Sequence, residues 1–422
     1  RRAKAPGRRR KAGETDGDGG GIVGTPADAS HPVLRHLRVV KPLPAAPPRA
    51  LPRFSLFENV RGLTKTEALE LASRLGTSLL AFDAGLAGIS DARRDRWYWS
   101  TIPTPTAEAF DVVDWPSSAT KDPAGARARP AVLCDAPACD TRELLNCLTT
   151  DEGVSDMNQL NRQLAEQFRR AAAAGLLAEP ALDAEDMGRV RPANLCWTKC
   201  RNGMRQLRTL TTGEREAIMG FPAGWCDGQT STVAAKQLGN AWHVPSIVML
   251  LSGLEQTLRE LIGSGQLGTA AKPLKVLSFF DGIGGGWCAL HSLLVRWGLS
   301  NIHLHYIAIE NDAACRKVLA QNFPTDIKTE DGSGAERCHY HLTQWTDIRD
   351  LQEDIRQGKH EKFLEGVFLR LGGFPCNNLS GNNRAQGANG RSGLAGPHTG
   401  LFYKMEDILA TLDGQARASA AD

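Results

Sequence analysis

Residues 275–286, KVLSFFDGIGGG, constrain the architecture more than any other stretch of the chain. An apolar strand run passes directly into a glycine-rich turn and then into a helical pattern. Glycines let backbone approach a ligand closely, and the helix start offers unpaired N–H groups, so the unit suits a nucleotide-like ligand. The glycines are Gly282, Gly284, Gly285 and Gly286, and Trp287 stands where a dinucleotide fingerprint needs its last glycine, which argues against NAD. A second strand, HLHYIAIE (303–310), ends in Glu310, 28 residues after Gly282 and suitably placed to accept ribose hydroxyls. A third apolar run, GVFLRLGG (366–373), stops at Phe374-Pro375-Cys376-Asn377-Asn378. Strands alternating with helices indicate an α/β fold with a doubly wound, mostly parallel sheet.

Cys376 therefore falls at the carboxyl edge of a strand, where open sheets of this kind carry their ligands. A lone cysteine is more often an inert apolar side chain. This one sits in a turn before polar residues and a glycine-rich stretch, GNNRAQGANGRSGLAG (381–396), suited to a closing loop. As a nucleophile it would react as the thiolate, so nearby N–H or cationic groups should depress its pKa.

Elsewhere, RFSLFENV (53–60) is a short apolar run ending in Glu58-Asn59, and Leu69, Leu71, Leu75 and Leu80 predict a helix over 65–82. RWYWSTIP (96–103) has the aromatic density of a strand. Met157, Leu160, Leu164 and Phe168 predict an amphipathic helix from about 155 to 173. LTTGEREAIMGFP (210–222) predicts a capped helix ended by Gly220 and Pro222, and 234–254 a loop and an apolar helix. Residues 255–273 read as a linker.

A hydrophobic content of 41% over 422 residues supports a sizeable core, and the net charge of +3 makes no case for nucleic acid. The first eleven residues hold seven Arg or Lys, consistent with a solvated tail that could also serve nuclear targeting or DNA tethering. Ten scattered cysteines, without a signal peptide or membrane-length apolar run, predict a reduced intracellular protein. Of Cys196–Cys200 and Cys134–Cys139, one pair fits the spacing of zinc ligands and the other lies at its edge; all four read as ordinary thiols, and no metal is expected. The chain opens on Arg1 rather than Met, and a fragment with domains upstream is the expectation.

SFFDGIGGG, YIAIEN, TDIRD, GGFPCNNLSGNNR and GLAG…TGLFY resemble the cofactor and catalytic motifs of DNA (cytosine-5)-methyltransferases. LFENV, RRDRWYW, MGFP and LGNAWHVP resemble that family's later motifs, yet here they come first. The inverted order resembles the plant domains-rearranged methyltransferases, and the ENV and AW–VP blocks also resemble the animal de novo enzymes. The resemblance implies a circularly permuted S-adenosylmethionine-dependent methyltransferase fold with an inserted target-recognition region. The implied divisions are a basic, Pro- and Ala-rich tail (1–50), a first catalytic part (51–103), a target-recognition region (104–205), the MGFP and GNAWHVP blocks (206–254), the linker (255–273) and a cofactor-binding and Pro-Cys part (274–422).

By the same resemblance, Cys376 is the nucleophile, Glu58 faces the target base, and Arg94 and Arg96 lie near a flipped cytosine. Phe280, Asp281, Gly282, Ile283, Glu310, Asp347, Ile348, Pro375 and Leu401 would line the S-adenosylmethionine pocket, closed from the other half by Asn240, Ala241 and Trp242. Asn378, Arg384 and Arg391 would contact double-stranded DNA. A nuclear silencing role, small-RNA machinery as a partner and pairing through the catalytic domain are further implications. The pattern is broken at Phe368, where an acid is expected, at Arg370 within the same strand, and at Ala395 in GLAG. Two other readings are an accessory protein that binds DNA or a partner enzyme without catalysis, and an RNA cytosine-5 methyltransferase.

Overall fold

The computed structural model of the chain describes residues 25–28, 30, 33–43, 52–60, 63–85, 87, 89–90, 92, 94–106, 195–199, 205–323, 338–342, 345–359, 361–375 and 400–419. Its first strands are β1 (Thr25–Pro26), β2 (Arg38–Lys41), β3 (Phe54–Val60), β4 (Ser78–Asp83) and β5 (Asp95–Ser100). A separate antiparallel pair, β6 (Leu195–Lys199) and β7 (Arg205–Thr209), follows. The last strands are β8 (Leu274–Phe279), β9 (Leu304–Ile309), β10 (Cys338–Leu342) and β11 (Leu369–Gly372). Nine of these form one sheet in the order β1-β2-β4-β5-β3-β11-β8-β9-β10. The run β3-β11-β8-β9-β10 is parallel, and β5, β4, β2 and β1 continue it antiparallel.

Both faces of the sheet are covered, which is why its strands read as continuous apolar runs. Leu56, Leu80, Tyr98, Val276, Tyr306 and Leu371 point into one core. Their neighbours Phe57, Leu79, Trp97, Leu277, Ile307 and Ile309 point into the other, the period of two that a strand imposes. The first core is closed by α2 (Thr212–Met219), α3 (Ser231–Asn240), α4 (Val244–Leu251), α5 (Glu255–Gly263), α6 (Gly285–Arg296) and α7 (Ala313–Asn322). The second is closed by α1 (Lys65–Arg74), α8 (Ile348–Arg356) and α10 (Leu401–Ser419), with the short α9 (Glu361–Leu364) beside it. Among the described residues, no helix is long and apolar enough to cross a membrane.

Two sequence expectations need correction. The helix expected over 65–82 stops at Arg74; Gly76 turns the chain at φ +62° and Ser78–Asp83 is a strand. Leu79 and Leu80 are buried in opposite cores, so that stretch has the period of a strand. The linker expected over 255–273 begins as α5, because Leu254, Leu258 and Leu261 recur on one face and are buried. The helix at 210–222 forms as expected. Thr211 and Glu214 make a reciprocal capping box, and Gly220 ends the helix at φ +78°. The amphipathic helix expected over 155–173 lies outside the described residues.

The crossovers locate the site. From β8 the chain moves outward through α6 and α7 on one face to β9 and β10, then returns along the other face through α8 to β11, on the far side of β8. Neighbouring strands whose connections leave in opposite directions open a crevice at their carboxyl ends. Register aligns Phe279 with both Ile309 and Gly372, and Gly372 with Phe57, so the ends of β8, β9 and β11 meet at one rim, beyond which β3 runs on to Val60.

Candidate active site at the carboxyl ends of the central strands

At the end of β8, Phe280 has φ +55°, the one positive value outside glycine among the described residues. A bulky side chain resists that conformation, so the surrounding bonds must hold it. Asp281 donates its N–H to the Ile309 carbonyl at 3.1 Å, and its own carbonyl accepts from Gly284 at 3.0 Å. Its carboxylate accepts from Ser278 Oγ at 2.5 Å and Tyr306 OH at 2.8 Å. Gly282 turns at φ +60°, with open space where a Cβ would stand. Gly284 turns at φ +84° to start α6; a Cβ there would reach Phe323 at 3.0 Å.

Glu310 closes this turn from β9. Its two oxygens accept the N–H groups of Gly282 at 2.8 Å and Asp312 at 2.7 Å. Burial nevertheless pushes its carboxyl up to about 7, because desolvation outweighs both donors and the nearby acids Asp281 and Asp312 oppose ionisation. Ile283 is buried, and its carbonyl accepts Trp225 Nε1 at 2.8 Å. Trp225, in the loop after α2, supports the turn, and sequence reasoning overlooked it.

Trp242 spans the crevice. A Cβ on Gly285 would stand 3.1 Å from Trp242 Cβ, and one on Gly373 would stand 2.4 Å from its Nε1. The indole therefore lies between the start of α6 and the turn that leaves β11. Asn240 ends α3 and is exposed, whereas Ala241 is buried.

On the other side of that turn, Asn59 is buried and donates its amide to the Phe374 carbonyl at 2.8 Å, while its Oδ1 accepts the Val60 N–H at 2.7 Å. The Phe374 ring packs against Trp99 and Phe402, with centroids 5.9 and 5.2 Å away. The ENV segment is thereby tied to Phe374-Pro375, the last described residues before Cys376. Asn59 had no assigned role in the sequence reading, although a polar residue at a buried strand end must find a partner. Beside it, Glu58 Oε1 meets Arg96 Nε at 2.7 Å, both side chains largely buried. Arg94 points elsewhere: its Nη2 donates to the Ala241 carbonyl. Cys376, Asn378, Arg384 and Arg391 lie outside the described residues.

No family model matches the chain. It is 29% identical over 287 residues to DNA (cytosine-5)-methyltransferase DRM2 of Arabidopsis thaliana, a match covering 67% of this chain and 39% of that protein. With DRM1 of the same plant the identity is 29% over 285 residues, covering 67% and 38%. With DRM2 of Oryza sativa subsp. japonica it is 29% over 287 residues, covering 65% and 40%. The chain is a relative of the plant domains-rearranged DNA (cytosine-5)-methyltransferases. It spans about two fifths of the length of these curated relatives.

For a relative of these enzymes, the two departures in and before β11 have a structural account. Phe368 is fully buried and packs edge-to-face on Phe54, 5.2 Å between centroids. Arg370 reaches Asp413 of α10 at 2.8 and 3.2 Å, and Asp413 also accepts Arg53 at 3.0 Å. Both departures are absorbed by the scaffold; Ala395 lies outside the described residues. Asp347 caps α8 and is held by the Arg349 N–H and guanidinium, which keep its carboxyl below the usual range. Ile348 is buried in the second core, and Leu401 starts α10 against the same core. Among the described residues, no cluster of His, Cys, Asp and Glu could hold a metal ion, and Cys134, Cys139 and Cys200 fall outside them.

Proposed function

We propose that this chain is the catalytic part of a de novo DNA (cytosine-5)-methyltransferase of the domains-rearranged type, acting in the nucleus on double-stranded DNA. The observation that carries the reading is the Asn59–Phe374 hydrogen bond, 2.8 Å long across 315 residues of sequence. It joins the segment bearing Glu58 to the turn that Cys376 directly follows. A circularly permuted order is supported by Arg53, which precedes β3 and donates to the Leu412 carbonyl and the Asp413 carboxylate of α10. The two chain segments that an unpermuted order would join are thus already in contact.

The residues at the rim suit S-adenosylmethionine. Gly282 leaves an open face, Glu310 is a buried carboxyl at the strand end, and Phe280, Asp281 and Ile283 form the turn. Glu310 would take the ribose, Asp347 and Ile348 the adenine side, and Asn240, Ala241, Trp242, Pro375 and Leu401 the remaining walls. When bound, this cofactor supplies an electrophilic methyl group on a sulfonium.

The chain's own residues prepare the base. The Cys376 thiolate adds to carbon 6 of an extruded cytosine, and that bond loads electron density onto carbon 5. Glu58, positioned by Arg96, donates its carboxyl proton to ring N3 as the adduct forms and so neutralises the charge that develops there. Once carbon 5 carries the methyl group, its remaining proton passes to solvent, the electron pair expels the thiolate, and N3 returns its proton to Glu58 as the ring is restored. Small-RNA machinery as a guide belongs to the same reading.

Transfer of labelled methyl to unmethylated duplex DNA tests the proposal. The chain should label duplex DNA and Cys376→Ala should fall to background. Cofactor binding without transfer to any nucleic acid would favour the accessory reading, and labelling of RNA alone the RNA methyltransferase.

A further inference from the structure

Arg94 and Arg96 stand two residues apart, and the resemblance treats them alike, as neighbours of the flipped base. Their surroundings differ. Arg96 meets Glu58 at 2.7 Å. Arg94 is buried at 4% exposure, its N–H donates to Asp83 Oδ1 at 3.0 Å, and its guanidinium donates to the carbonyl of Ala241. Ala241 is the C-cap of α3, where unpaired carbonyls carry the negative end of the helix. A guanidinium placed there makes a charge-assisted cap, stronger than a neutral hydrogen bond and well matched to a buried position.

The capped residue belongs to a segment with fixed neighbours on both sides. Trp242 follows it and lies against Gly285 and Gly373. His243 comes next and starts α4, its Nδ1 2.8 Å from Ser246 Oγ. Strand β5 faces β3 in register, Glu58 opposite Tyr98 and Val60 opposite Arg96. One side chain thus links the strand pair that holds Glu58 to the segment that walls the cofactor crevice.

We propose that Arg94 is a positioning residue that holds Asn240-Ala241-Trp242 against the crevice, so that the cofactor wall and the base-side strands keep a fixed separation, and that the base is left to Arg96 and Glu58. This rests on the cofactor reading above. It separates the two arginines by the quantity each controls: Arg94 the affinity for cofactor, Arg96 the turnover.

The test uses the full chain with Arg94→Met, Arg94→Lys and Arg96→Met, measuring S-adenosylhomocysteine binding by calorimetry and KM for S-adenosylmethionine separately from kcat. Loss of a charge-assisted bond should weaken S-adenosylhomocysteine binding in Arg94→Met by about tenfold and raise that KM in parallel. Arg94→Lys, which keeps the charge, should recover part of the loss and serves alone if the methionine variant does not fold. Arg96→Met should lower kcat with binding unchanged. If the Arg94 variants bind S-adenosylhomocysteine as the unaltered chain does and lose only kcat, Arg94 faces the base and the proposal is overturned. If the unaltered chain binds no S-adenosylhomocysteine, the cofactor reading and the proposal fall together.

Discussion

At the scale of single residues, the rim of the crevice concentrates groups held away from their ordinary states. Glu310 is the sharpest case, its carboxyl raised to about 7 by burial. The folded chain therefore holds more protons than the unfolded one between about pH 4.5 and 7, and this group's contribution to stability falls as pH rises through that window. The full effect is on the order of 3 kcal/mol. Glu310→Gln should flatten the dependence, so that urea unfolding at pH 5 and pH 8 shows the variant gaining on the parent by that order at the higher pH. An unchanged slope would mean that Glu310 ionises normally. His243 is the opposite case: burial first, then the charge of Arg94, push its imidazole down to about 3. Gly373 tests the indole contact. Gly373→Ala would put a Cβ 2.4 Å from Trp242 Nε1, and such overpacking should destabilise by about 1–3 kcal/mol and shift tryptophan emission. Wild-type stability and emission would show that the contact is slack.

At the scale of elements, β11 is the hinge between sequence pattern and site. Its alternation sends Leu369 and Leu371 into one core, which leaves Arg370 facing α10. Burial opposes the charge on Asp413, yet Arg370 and Arg53 outweigh it and hold the carboxyl below its ordinary value. That stabilisation is present above the unfolded carboxylate range and is lost as pH falls through the folded value. Removing the acid should leave a buried guanidinium without its counter-charge. Asp413→Ala is therefore expected to cost about 3 kcal/mol in thermal or urea unfolding, with Arg370→Met restoring part of it in the double variant. Additive losses would show that the two side chains act independently. Element boundaries were legible where caps and glycines mark them, as at Thr211, Glu214 and Gly220. They were misread at Leu79 and Leu80, where apolar residues admit a helix or a strand and only burial on two faces decides between them.

At the scale of the whole molecule, residues from both ends of the chain build one sheet. β3 and β11 pair in parallel, and both cores draw side chains from before residue 110 and after residue 270. The two portions should therefore hold together without a peptide link. Cleavage within the exposed 269–272 segment is expected to leave fragments that co-elute on size exclusion and retain native circular dichroism. Separation into two species would show that covalent continuity is required. The same interleaving explains why Glu58 and Phe374-Pro375, far apart in sequence, share a rim: neighbouring parallel strands bring their carboxyl ends together.

The residues alone determined the α/β class, the glycine-rich turn with its acidic strand end, and the blocks that relate the chain to the domains-rearranged methyltransferases. Those features are local, written in periodicity, glycine placement and short motifs. Tertiary structure alone decided that Asn59 holds the Phe374 carbonyl, that Arg370 is neutralised by Asp413, and that Arg94 turns from Arg96 toward Ala241. Each of these is a polar contact between distant segments, and a buried polar group takes whichever partner the fold carries within reach, which sequence spacing does not encode.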